Sequence, residues 1–342
     1  MKRLIITGDS ISYNRHGFDD TPRADASDCH IGMDSWSFRL RKNFITSSVD
    51  FEYADGLEFS ERTVSGLGDK ADIADAIFGS RVVTVTPEND RVHFTARSST
   101  GKLALYFQCR PHNYCSFTVT VDGNSKRADT YGDPDIYFGY ALLTVEIDCD
   151  KNKLSHEVVL SDFEYTELTP LVTLAGVSGE AKYAHITGQG SRTVKFLLYH
   201  FEKRVAALSP DALILTLGGN DFVFYSAEDY RLYLGRFFEL MRERFPDCRI
   251  VTATVPPSAK PSYPIRNMTF ESDAEFNTEL EKYNVVMKEL SLKYNAKCID
   301  LTRLFDGISP SVWRYDSVHL SPKGNEMLYG EVVNELFNKK EL

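Results

Sequence analysis

Hydrophobic residues follow two regimes along this chain. Near both ends, short unbroken apolar runs alternate with amphipathic stretches. Residues 4–7 read as a buried first strand, and an amphipathic stretch follows at 36–44. Residues 212–217 form a second apolar run ahead of a helical pattern at 228–245. A third run at 249–255 precedes helical periodicity over 273–294. Residues 296–301 read as a fourth strand and 322–337 as a closing helix. Strands that are apolar throughout, alternating with helices, predict a parallel sheet covered on both faces.

Between residues 80 and 165 the pattern changes to short β-rich runs with no helical period. They lie at 82–86, 91–96, 102–108, 116–122, 141–147 and 156–160, separated by turn signals such as Asp122-Gly123-Asn124. Many short strands at regular turn spacing predict a sandwich or jelly roll. The expected organisation is therefore α/β over 1–78 and 168–342, interrupted by a β-domain at 79–167, with the α/β chain resuming near Leu171.

Composition agrees with two domains. The chain has 342 residues, beyond the ~250–300 at which single cores stop growing. Lys and Arg total 39 against 49 Asp and Glu, a formal charge of −10. An acidic chain is a poor partner for nucleic acid or an anionic membrane. No apolar run reaches the ~18 residues of a membrane span. The first apolar run is short for a signal peptide, so cytoplasmic residence is expected. The six cysteines are scattered and read as free thiols, with a local bridge between Cys109 and Cys115 as the alternative.

Three short motifs carry candidate chemistry. Gly8-Asp9-Ser10 ends the first strand, at the carboxyl edge where parallel sheets gather their sites. A serine there has an exposed hydroxyl, although for the tripeptide by itself a turn with a helix cap is the favoured explanation. Gly218-Gly219-Asn220-Asp221 follows the second strand at the same edge. Asn220 offers a neutral, preset amide donor, and a plain strand-to-helix loop is the competing explanation. Asp316-Ser317-Val318-His319 precedes the closing helix. A carboxylate three residues from an imidazole can fix its tautomer and leave the other nitrogen free for a proton.

Together these blocks resemble the SGNH hydrolases, also called the GDSL esterase/lipase family. The resemblance rests on Ile5-Ile6-Thr7-Gly8-Asp9-Ser10, on residues 210–221, and on Asp316-Ser317-Val318-His319-Leu320-Ser321-Pro322-Lys323-Gly324. It implies a flavodoxin-like three-layer domain with a parallel sheet. It also implies Ser10 as nucleophile, His319 as base, Asp316 as its orienting acid, and an oxyanion hole from the Ser10 and glycine-block N–H groups with Asn220. The glycine block best matches Thr187-Gly188-Gln189-Gly190, ahead of a helix at 194–208. Gly190 is preferred over Gly188, and Gly66 and Gly68 fit less well. No cofactor and no metal is implied.

The resemblance leaves the substrate broader than the reaction. Carbohydrate O-acetyl esterases that join such a domain to a β-sandwich look similar. The expected activity is hydrolysis of small acyl esters, acetyl first, on a glycan or small molecule, with no nucleic acid or membrane partner and no defined oligomeric state. A thioesterase, lysophospholipase or acyltransferase on the same site is the alternative, as is a glycan-binding protein on a silent scaffold. Asp9, Gly188, Trp313 and Tyr315 are candidate substrate contacts, and the proline-rich loop 256–273 should border the site. Tyr106 reads as a core residue, Tyr131 to Tyr140 as a more exposed loop, and Arg15 and His16 as surface residues.

Overall fold

The computed structural model describes residues 1–13, 35–59, 64–65, 82–85, 91–109, 114–137, 141–165 and 172–337. Arg15, His16, Gly66, Gly68, Phe138 and Tyr140 lie outside them. The chain divides into two compact units, one of Arg3–Leu40 with Ile186–Leu342 and the other of Arg41–His185.

The first unit is mixed α/β. Its strands Arg3–Gly8, Ala212–Thr216, Arg249–Ala253 and Lys297–Ile299 pair in that order, all parallel. The register sets Gly8 beside Thr216 and Thr216 beside Ala253, so their carboxyl ends form one level edge. Ile5, Leu213, Leu215 and Ile250 face a core built with Phe237, Phe238 and Met241 of helix Ala227–Arg244 and Val286 and Met287 of helix Asp273–Lys293. The two-residue strand period turns Leu4, Ile6, Ile214 and Val251 to the opposite face, where they are equally buried. Burial on both faces explains why these strands read as continuous apolar runs.

Helix boundaries follow local chemistry. Ser226 caps Ala227–Arg244 through a reciprocal box with Asp229, and Ser272 caps Asp273–Lys293 by accepting from Glu275 N. Ser321 with Pro322 at the first helical position starts Pro322–Leu336. The helix expected at 194–208 is broken. It runs as Val194–Tyr199, Phe201–Arg204 and a 3₁₀ turn Ala206–Leu208. Ser209 then takes a left-handed conformation.

The second unit has two antiparallel sheets. Arg91–Arg97, Ser155–Tyr165, Cys115–Val121 and Asn124–Asp129 form one; Val64–Ser65, Val83–Val85, Val172–Ser178, Lys102–Cys109 and Ala141–Asp148 form the other, and Glu52–Tyr53 also pairs with Val172–Ser178. Phe94, Phe117 and Val119 of the first sheet share a core with Leu105, Phe107, Val145 and Leu174 of the second. Buried and exposed positions alternate along Arg91–Arg97 and Cys115–Val121, as one-sided packing requires.

Two elements depart from the sequence expectation. Val172–Ser178 belongs to this unit rather than to a resumed α/β chain. It pairs antiparallel with Lys102–Cys109 and with Val83–Val85 and is buried throughout. A wholly buried strand looks the same in either kind of sheet. Asn124–Asp129 is a strand without an apolar pattern because five of its six side chains face solvent. Tyr106 is fully buried, as its alternating strand suggested, with its hydroxyl 2.9 Å from Ser178 Oγ. Tyr131 is exposed, whereas Tyr137 is half-buried with its hydroxyl 2.8 Å from His185 Nδ1. Cys109 and Cys115 are unbridged.

Candidate active site

The first strand ends in a turn that admits only glycine. Gly8 has φ 138°, and a Cβ there would lie 1.9 Å from Thr216 O. Asp9 N donates to that same carbonyl at 3.0 Å. The Asp9 carboxylate accepts from Ile11 N at 3.0 Å and, more loosely, from Thr216 Oγ1 at 3.5 Å. The chain is thereby folded around Ser10, the first residue of the short helix Ser10–Tyr13. Burial raises the Asp9 carboxyl to about 6, with the Ile11 N–H and the nearby His319 opposing.

Ser10 Oγ lies 2.9 Å from His319 Nε2, across 309 positions of sequence. His319 Nδ1 lies 2.7 Å from Asp316 Oδ2. The other Asp316 oxygen accepts from Val318 N and His319 N, both at 2.8 Å. Burial pushes the Asp316 carboxyl up, but the His319 ring and these two N–H groups outweigh it and hold it well below the usual carboxylate range. With Asp316 ionised, Nδ1 carries the proton and Nε2 accepts from Ser10.

The loop bearing this pair is closed by its backbone. Tyr315 N donates to His319 O and Ser321 N to Trp313 O, both at 2.8 Å. A Cβ on Gly324 would fall 2.1 Å from that Trp313 oxygen, so the closing helix starts in tight contact with the loop.

Asn220 and Asp221 lie in the short helix Gly219–Phe224. Asp221 is fully buried and its Oδ1 accepts from Val194 N at 2.9 Å. Its Oδ2 is buried with no partner among the described residues. Burial raises this carboxyl to about 7, the Val194 N–H opposing and Asp9 adding to the rise. The glycine segment is pinned from two sides. Gln189 N donates to Gly8 O at 3.0 Å. Arg204 donates to Thr187 O at 2.8 Å and to Gln189 Oε1 at 3.1 Å.

The two glycine candidates separate clearly. Gly188 packs inward, where a Cβ would lie 2.8 Å from Ser12 Cβ. A Cβ on Gly190 would have only Ser10 Cβ near it, at 3.9 Å. Among the described residues, the N–H groups of Ser10 and Gly190 and the Asn220 side-chain amide have no acceptor.

A cavity of about 490 Å³ opens beside Ser10, bordered by Asp9, Ser10 and Asn220 at the sheet edge. Its wall comes from Phe222 and Val223, from residues 258–263 with Ile265, and from Phe276 and Leu280. The proline-rich loop does border the site. Trp313 does not: it is buried and stacked on Phe305 at 4.2 Å between ring centroids, with Nε1 donating to Ile308 O. Its side chain supports the loop from within. Gly188 and Tyr315 are also outside the cavity wall, and Tyr315 is exposed.

Several supporting residues carry no motif signal. Ser12 Oγ donates to Thr7 O and lies 2.6 Å from Thr216 Oγ1. Asn325, fully buried, donates to Leu320 O and Ser321 O and accepts from Trp36 N; the Trp36 ring in turn donates to Ile11 O. This chain of bonds links the His319 loop to the Ser10 helix. Only the helical spacing of Trp36 and Asn325 was visible beforehand. Among the described residues, no group of three His, Cys, Asp or Glu is placed to hold a metal, and no helix is long and apolar enough to cross a membrane.

Residues 166–327 match the GDSL-like Lipase/Acylhydrolase family. No curated protein matches the chain. Among solved structures, a peptidoglycan O-acetylesterase is 12% identical, with 98% of this chain and 90% of that chain covered and a TM-score of 0.46. An acetylxylan esterase from Geobacillus stearothermophilus is 18% identical over 46% and 74% of the two chains, TM-score 0.37. A lipase/acylhydrolase from Enterococcus faecalis is 21% identical over 46% and 76%, TM-score 0.37. Likeness at this level assigns no substrate.

Proposed function

Because the chain carries a GDSL-like acylhydrolase domain, and so is a carboxylic ester hydrolase of the SGNH type, we propose that it works through a Ser10–His319–Asp316 triad. The observation that supports this reading is the unbroken relay from Ser10 Oγ through the His319 ring to Asp316, at 2.9 and 2.7 Å. Ser10 Oγ attacks the ester carbonyl as its proton passes to His319 Nε2. The Ser10 and Gly190 N–H groups and the Asn220 amide receive the oxyanion. Collapse breaks the acyl–oxygen bond, and His319 hands its proton to the departing alcohol. Water, deprotonated by His319, then attacks the acyl-enzyme, and the acid leaves with Ser10 reprotonated. Asp316 stays ionised and stabilises the imidazolium at each step.

The finer substrate reading is a small acyl ester, acetyl first, carried on a carbohydrate. It rests on the family resemblance of the motifs together with a β-rich unit, which we read as an inserted β-sandwich of jelly-roll type. The alternation of buried and exposed residues on its two sheets supports that assignment.

Labelling with a fluorophosphonate, alongside acetate release from a panel of acetylated glycans, tests the proposal. Wild type is expected to label and turn over, and Ser10→Ala to do neither while keeping its circular dichroism spectrum. An unlabelled, inert wild type would reject the triad and favour a binding role. A preference for acyl chains beyond octanoyl would reject the small-acyl reading.

A further inference from the structure

We propose that Asn277 is a positioning residue for the hydrolysis: its side-chain amide holds Ser258 and, through Ala259, the tip of the loop that carries Asp316 and His319. This deepens the esterase reading and rests on His319 being the base.

Residues 255–258 run on from strand Arg249–Ala253, and Val255 and Ser258 reach the wall of the cavity beside Ser10. Both are buried, so their backbone polar groups need partners within the protein. Pro256 and Pro257 have no N–H. The two N–H groups that remain go to asparagines of helix Asp273–Lys293. Asn284 Oδ1 accepts from Val255 N at 2.8 Å, and its Nδ2 donates to Val255 O at 3.1 Å. Asn277 repeats the pair on Ser258, at 2.8 and 2.9 Å. Ser258 Oγ donates to Pro256 O at 3.0 Å, and Arg314 donates to Pro257 O at 3.4 Å. Every backbone donor and acceptor of the segment is thereby committed.

The two asparagines do for this segment what a neighbouring strand would do. They stand two helical turns apart, ~10.5 Å along the axis. Proline favours extended backbone, in which three residue steps cover ~9–10 Å, so the two spacings match. Each amide supplies one donor and one acceptor, whereas a carboxylate would set a lone pair against the carbonyl. Their second N–H groups are placed as well: Asn277 donates to Asp273 O at 2.7 Å and Asn284 to Glu281 Oε2 at 3.1 Å. The helix itself is fixed by Phe276, Leu280, Tyr283 and Met287 in the core.

The catalytic loop is tied to this segment. Ala259 N donates to Ser317 O at 2.9 Å, and Ser317 lies between Asp316 and His319. Ser258 adjoins Ala259, whereas Val255 is four residues away. Asn277 and Asn284 therefore make the same pair of bonds at different removes from His319. Both should matter for stability, and Asn277 far more for turnover.

Leucine has the branched outline of asparagine without its donor or acceptor. The experiment compares Asn277→Leu with Asn284→Leu, and adds Ala259→Pro, which deletes the N–H given to Ser317, alone and combined with Asn277→Leu. Readouts are kcat and KM on p-nitrophenyl acetate, the rate of fluorophosphonate labelling, and the melting temperature. Asn277→Leu should lower kcat and the labelling rate by roughly ten- to a hundredfold, with KM within about threefold. Asn284→Leu, at the more deeply buried site, should lose at least as much melting temperature but less than about threefold in kcat. The double variant should be no slower than the slower single one, because both changes break the same link. Asn277→Ser, which can serve one side of the pair, should fall between wild type and Asn277→Leu. Equal kcat losses at the two asparagines, a loss confined to KM, or additive losses in the double variant would overturn the proposal. Either comparison decides alone if a variant of the other does not fold. Turnover that persists in Ser10→Ala, or a wild type that neither turns over nor labels, shows that the triad reading has failed. Ser10-dependent turnover with kcat unmoved in Asn277→Leu overturns the positioning role only.

Discussion

The fully buried carboxylate of Asp221 holds the N–H of Val194 at 2.9 Å. Asp221 follows Asn220 directly, and Val194 lies four residues after Gly190. One hydrogen bond therefore ties together the two segments that carry the proposed side-chain and glycine oxyanion donors. Asp221→Ala should leave a buried N–H unpaired, at about 1–3 kcal/mol of stability. It should also lower kcat by roughly ten- to a hundredfold through donor misplacement, with KM little changed. Asp221→Asn keeps the acceptor and should restore most of the turnover. Steady-state kinetics on both variants, with thermal melts, separates this from simple unfolding.

The same residue predicts a pH dependence of stability. Burial lifts the Asp221 carboxyl to about 7 and Asp9 to about 6, above the ordinary aspartate value of ~3.9. Between those limits the folded state holds more protons than the unfolded chain, so stability falls as pH rises. Asp221→Asn removes the charge and should flatten this decline. The expected result is a melting temperature a few degrees above wild type at pH 8 and no higher than wild type at pH 4. A gain of equal size at both pH values would contradict it.

Asp316→Asn should cut kcat by about 10⁴, because an amide no longer fixes the tautomer that leaves Nε2 free. The native Asp316 carboxyl sits well below the usual range. It therefore stays ionised across ordinary assay pH, and its protonation should not set the acid limb of the wild-type kcat/KM profile.

Asn220→Ala should lower kcat by about 10²–10³, the measured scale for one oxyanion donor. Fluorophosphonate labelling should slow but persist, since Ser10 and His319 are untouched. Complete loss of labelling would instead mean that Asn220 holds the fold of the site.

Gly324→Ala places a methyl 2.1 Å from Trp313 O. Such overpacking should cost at least about 1–3 kcal/mol and displace the loop that carries Asp316 and His319. Reduced thermal stability together with reduced turnover is expected, whereas activity lost at full stability would point to a different cause.

Much of this site is legible in the chain because its signals are local. Gly8, Gly218 and Asn220 belong to strand-to-helix turns whose apolar strands announce themselves, and Asp316 with His319 needs only three residues of spacing. Trp313 was misread for a physical reason. An aromatic beside a motif looks like a wall, but this ring is buried against Phe305, on which it stacks. The α/β chain was expected to resume near Leu171, yet Val172–Ser178 pairs antiparallel in the second unit, because continuous apolarity records burial and not the direction of the neighbouring strands. Asn124–Asp129 went unseen because exposed strands need no apolar period.

The alternation of apolar strands and helices, the glycine turns at their ends and the spacing of the Asp316–His319 pair are all legible along the chain. These follow from backbone sterics and local periodicity. Only the tertiary structure shows that Ser10 meets His319 across 309 positions, that Gly190 rather than Gly188 faces Ser10, and that Asp9 and Asp221 are buried acids. Burial, and the shift in proton affinity it causes, belongs to the packed surroundings of a side chain and is written in no short stretch of sequence.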